Sequence, residues 1–322
     1  MRTSTNRLVT ACLSAALLAA CGGSNGRFSS TTTSVVPQSA PVGSAAAVGK
    51  MASNPMLYVA NIGYNDVIVY DSTGKRTLTI TAGLDEPFGV AVDKSGKVYV
   101  ANTFLHHFGG NVTTYTPDGK RTKPTITDGI SFPLDVVVDK NGKIYVTNLN
   151  DYSGNGFITT YKPDGTRTTL TITAGIAGPI GLTVDASGKI YVANDYNGTV
   201  TTYKPDGTQT TPTITGLDAP LGVAVDTSGK IYVADYVGGP HGTGSITTYT
   251  PAGKQTTPTI TAGIEGARGV AVDASGQIYV SNLNGPGKKG GYGCVTSYTP
   301  DGKPTTPTIT EGISEPDLIT LH

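Results

Sequence analysis

The sequence predicts an all-β chain, a six-bladed β-propeller of four-stranded blades whose ring is closed by pairing of the C-terminal strand with the N-terminal blade. Three observations predict it. A unit of about 46 residues recurs six times between Leu57 and His322, within the period of four-stranded blade repeats. β-branched and aromatic residues dominate every unit, and nowhere is a helical period sustained over a helix length. The array also begins at the second strand of a unit and ends with a surplus first strand.

Strand a of each unit is a small apolar run ending in Asp, as in Gly89-Val90-Ala91-Val92-Asp93. It recurs as Asp135 to Asp139, Gly181 to Asp185, Gly222 to Asp226 and Gly269 to Asp273, with a degenerate copy from Leu318 to His322. Such a run suits the innermost position, where neighbouring blades cover both faces. A tight turn such as Asp139-Lys140-Asn141-Gly142-Lys143 leads to strand b, Ile144-Tyr145-Val146-Thr147, which closes on Asn148. Strand c is Ile158 to Tyr161, and Pro163-Asp164-Gly165 then favours a β-turn into strand d, the Thr171-Ile172-Thr173 element. The chain enters at strand b, Leu57-Tyr58-Val59-Ala60, so the terminal strand a completes the first blade. A right-handed β-solenoid is the runner-up, disfavoured because its coils are shorter than this period.

The repeat resembles the NHL family, whose units carry Pro-x-Gly-Val-Ala-Val-Asp and Ile-Tyr-Val-Ala-Asp/Asn elements. Here they are Pro220-Leu221-Gly222-Val223-Ala224-Val225-Asp226 and Ile231-Tyr232-Val233-Ala234-Asp235. The resemblance covers about residues 57–322 and extends more loosely to the SMP-30/gluconolactonase-like group. A WD40 assignment is poor, since the chain has no Trp.

The array is preceded by two other segments. Residues 1–20 read as an export signal: Arg2 and Arg7 precede an apolar stretch, Leu8 to Ala20, too short to span a bilayer. Leu18-Ala19-Ala20-Cys21 resembles the bacterial lipobox, which implies lipidation of Cys21 and a membrane anchor, with Gly22 preferring the outer membrane. Residues 21–55 are rich in Ser, Thr, Ala, Gly and Pro and read as a flexible tether to a propeller spanning 56–322. With Cys12 removed and Cys21 lipidated, Cys294 is the one free thiol, so no internal disulfide forms in a mature monomer.

Only 14% of residues are charged, and 23 basic residues balance 23 acidic ones, so nucleic acid is not an expected partner. Residues common to all copies are explained by the fold. The strand-b termini Asn61, Asn102, Asn148, Asn194, Asp235 and Asn282 could ring a divalent cation at the channel mouth, but satisfy local backbone groups on the blander reading. The turn residues Asp93, Asp139, Asp185, Asp226 and Asp273 read the same way.

Differences between copies are more informative. Strand alternation puts the b–c and d–a connections on one face, and four of the six b–c connections are long. They carry His106 and His107, Asn150-Asp151-Tyr152, Pro240-His241, and Lys288-Lys289 with Tyr292 and Cys294. Aromatic and amide-rich loops on a rigid scaffold suit recognition, although unconstrained Gly-rich drift explains them as simply. Nearer the channel mouth, Asp135 replaces a Gly, while Arg268 and Asp317 replace the apolar residue that is Phe88, Leu134, Ile180 or Leu221 elsewhere. An inter-blade ion pair or a polar ligand pocket would explain these.

The expected function is that of a lipid-anchored, monomeric binding module for an envelope protein, a glycan or a small molecule. The resemblance also implies an alternative, a metal-dependent hydrolase or lyase. The related lyase uses several His ligands, whereas His106 and His107 are adjacent and point apart in extended chain. For a lactonase-like cation site, Asp135, Asn102 and Asn148 imitate only part of the ligand set. No nucleophile elbow or phosphate loop is present.

Overall fold

The computed structural model describes residues 55–104, 109–150, 154–239, 242–285 and 293–322. Among them run 24 strands in six four-stranded antiparallel sheets. The second sheet shows the plan: β4 (Pro87–Val92), β5 (Val98–Asn102), β6 (Asn111–Tyr115) and β7 (Arg121–Ile126) lie side by side in sequence order as strands a to d. The runs identified as strands a, b and c are borne out to within a residue or two. Strand d is longer than its Thr-Ile-Thr core, reaching back in the third blade to Arg167.

Closure follows the sequence expectation. β24 (Pro316–Leu321) pairs antiparallel with β1 (Leu57–Asn61), with Leu57 opposite Leu321 and Val59 opposite Ile319. Met56 and His322 exchange both backbone hydrogen bonds at 2.8 and 3.0 Å. The first and last strands are therefore locked together in the inner half of the first blade.

The apolar core lies between blades. Val90 of one strand a packs with Ala60, Val67 and Val100, whereas Ala91 on its other face packs with Ala101, Val136 and Val146. Alternation along an extended strand sends successive side chains to opposite neighbours, which is why these strands are apolar on both faces. Tyrosines ending strand c tie five of the six blades to the linker before them; Tyr115 Oη, for example, donates to the Ala82 carbonyl (2.9 Å) and Tyr161 Oη to that of Asp128 (2.8 Å). A linker carbonyl is thereby given a donor at each of these joints.

The Asp that follows strand a is a turn device, as read. Asp93 Oδ1 accepts from the Ser95 and Lys97 amides and the Ser95 hydroxyl, while Oδ2 accepts from Tyr99 Oη. Asp185 and Asp226 repeat the pattern.

Candidate functional site

The propeller axis has two different ends. At the b–c/d–a end, the second residue of each strand a turns toward the axis region, and Phe88, Leu134, Ile180 and Leu221 meet in one buried cluster with Ile62, Phe132 and Leu149. Each of these side chains is at most 7% exposed, so an apolar plug closes this end. The two copies lacking the apolar residue supply Arg268 and Asp317, each 1% exposed, with Arg268 Nη1 donating to Asp317 Oδ2 at 2.5 Å. The expected inter-blade ion pair is present, and it is built into the plug. Burial pushes the Asp317 carboxyl above its ordinary range, and Arg268 only partly offsets this.

Below the plug lies a cavity of about 200 Å³ lined by the six strands a. Its lining includes Val92, Val138, Val225 and Leu321 at the far ends of these strands, all half-buried, so the lumen opens toward the a–b turns. Asp135 lines it and is 6% exposed. Its Oδ1 accepts from the Val136 amide (2.8 Å) and its Oδ2 from the Leu182 amide of the next blade (2.9 Å). Four other copies keep Gly here because the inner strands nearly touch: a Cβ on Gly181 would lie 2.5 Å from the Leu221 carbonyl oxygen. Burial, reinforced by the charge of Asp317, pushes the Asp135 carboxyl up to about 8, against the pull of the two amides.

Two hydroxyls missed in the sequence support this arrangement. Thr147 Oγ1 accepts from the Asp135 amide and donates to the Ile180 carbonyl, both at 2.8 Å. Ser281 Oγ accepts from the Gly269 amide and donates to the Asp317 carbonyl. Both occupy a position that is Ala in the other four copies, and that departure was the available signal.

Asn102 and Asn148 are fully buried and committed to the framework. Asn148 Nδ2 donates to the Val146 carbonyl and Thr159 Oγ1, and its Oδ1 accepts from the Ser131 amide. Asn102 makes the same set with Val100, Thr113 and Asp85. Asp235, the acidic member of the ring, crowds with Asp218 and Asp195, and burial pushes it up to about 7. His107, Tyr152, His241, Tyr292 and the lipidation residue Cys21 lie outside the described residues. Among the described residues no three His, Cys, Asp or Glu side chains are grouped to hold a metal ion, and no helix is long and apolar enough to cross a membrane.

No protein-family model and no curated protein matches the chain. Solved structures do. A chain in the crystal structure of a nidogen/laminin complex superposes with a TM-score of 0.63 at 18% identity, covering 83% of this chain and 98% of that one. A protein of unknown function from Bacteroides caccae superposes with a TM-score of 0.62 at 15% identity, covering 84% and 99%. At these identities the likeness is one of fold.

Proposed function

We propose that this protein is an NHL-like propeller exported and lipid-anchored through Cys21, preferably at the outer membrane. It acts there as a monomeric binding module whose b–c/d–a face engages an envelope protein or a glycan. The plug carries this reading. Small-molecule sites are concave pockets of roughly 300 Å³ or more, whereas beneath this face the axis is filled by Phe88, Leu134, Ile180 and Leu221. A partner meets a broad surface, and the four long b–c connections enlarge it. Backbone bonds anchor the roots of these connections: the Thr103 amide donates to the Glu86 carbonyl (3.2 Å) and that of Leu149 to Phe132 (3.0 Å). A propeller of the same fold occurs in a nidogen/laminin complex, in keeping with a protein partner.

Replacing residues 103–110 and 283–293 by the short connection of the first blade tests this. The variant should melt as the parent does and lose capture of envelope components. Unchanged capture would contradict the reading.

One observation favours a second reading, a metal-dependent hydrolase or lyase of the SMP-30/gluconolactonase-like or NHL-lyase type. Asp135 is a buried carboxyl with a raised pKa beside a cavity, a combination that clusters at functional sites. A stoichiometric divalent ion, lost together with turnover of a lactone in Asp135→Ala, would establish the enzyme instead.

A further inference from the structure

The lumen has a chemistry of its own, separate from the loop face. We propose that it is a binding site for a small organic cation, a primary ammonium compound that enters from the a–b side and pairs with Asp135. The cavity of about 200 Å³ lies below the plug, and its volume suits a short alkyl chain. Its floor holds one carboxyl group, Asp135, which a bound cation would hold in the ionised form. Each Asp135 oxygen accepts one amide hydrogen, and a carboxylate has about four acceptor positions, so capacity remains toward the lumen. The walls are short aliphatic side chains, Ala91, Val137 and Ala224, with the half-buried threonines Thr183 and Thr320.

The mouth is arranged for the same sign of charge. Asp93, Asp185 and Asp226 end the inner strands, and their hydrogen bonds hold their carboxyls below the ordinary range, hence ionised. Two of the neighbouring lysines are turned outward. Lys97 Nζ donates to the Lys123 carbonyl and Lys230 Nζ to that of Thr257, both on outermost strands, and each ammonium lies over a tyrosine ring. Lys140 Nζ instead reaches the Ala186 carbonyl on the next a–b turn, so the acidic groups border the axis alongside Lys140, while Lys97 and Lys230 lie toward the rim. A cation inside would also offset the burial that disfavours the Asp135 carboxylate. A metal ion is less suited, because the floor offers a single carboxylate.

Isothermal titration of the full chain with n-butylammonium tests the site, with n-butanol as the neutral match and acetate as the anion. The expected result is saturable one-to-one binding of n-butylammonium, at least about tenfold tighter than either control. Asp135→Gly, which installs the residue of four other copies, and Asp135→Asn, which keeps the shape, should each weaken it at least about tenfold while melting cooperatively. Equal affinity in both variants, preference for acetate, or no saturable binding would overturn the proposal. The variant with shortened b–c connections should bind n-butylammonium as the parent does, so the fate of this site and that of the loop face are read separately.

Discussion

Asp235 departs from a hydrogen-bonding rule that four other blades share, and Asp235→Asn should stabilise the protein in a pH-dependent way. In the second, third, fourth and sixth blades, the Asn ending strand b donates to a strand-c threonine: Thr113, Thr159, Thr201 or Thr296. An ionised Asp235 has no proton to donate, so the corresponding buried Thr247 Oγ1 receives no such bond from it. Burial, with Asp218 and Asp195 nearby, raises the Asp235 carboxyl from 3.8 to about 7 in the folded protein. A carboxyl raised on folding leaves stability intact below its unfolded value and removes it as pH climbs toward the folded value. At about 1.4 kcal/mol per pH unit, the loss reaches roughly 4 kcal/mol above pH 7. Asn carries no such penalty and restores a donor, so the gain from the substitution should be small near pH 4 and grow toward roughly 4 kcal/mol by pH 8. Urea unfolding of parent and variant at the two pH values measures it. An advantage that does not change with pH, or a less stable variant at pH 8, would refute the reasoning.

Two further substitutions probe the frame. Arg268→Leu leaves the Asp317 carboxyl buried without its counter-ion and should cost about 3–5 kcal/mol, whereas Arg268→Leu with Asp317→Leu copies the apolar plug and should recover most of it; denaturant midpoints decide. Deleting residues 316–322 removes the strand that completes the first blade and should abolish the single cooperative melting transition, seen by calorimetry. An unchanged transition would contradict ring closure.

The architecture was legible because each copy repeats its turn chemistry, and because the surplus strand from Pro316 to Leu321 left one topological home. The ion pair was legible too, since Arg268 and Asp317 break an otherwise apolar position in adjacent copies. The lumen was not. Asp135 stood out as a substitution for Gly, but whether its carboxyl faces a mouth or spans two inner strands depends on how closely those strands approach, which one sequence does not encode. The plug was hidden for a related reason: Phe88, Leu134, Ile180 and Leu221 look like ordinary strand residues until six strands converge on one axis.

Photo-crosslinking in intact cells tests the central claim, that the b–c/d–a face is the one that meets a partner. A crosslinking residue at Tyr64, on that face and 57% exposed, is compared with one at Ser95, on an a–b turn at the opposite end. The account predicts a discrete adduct from Tyr64 and none from Ser95. An adduct from Ser95 alone would contradict it.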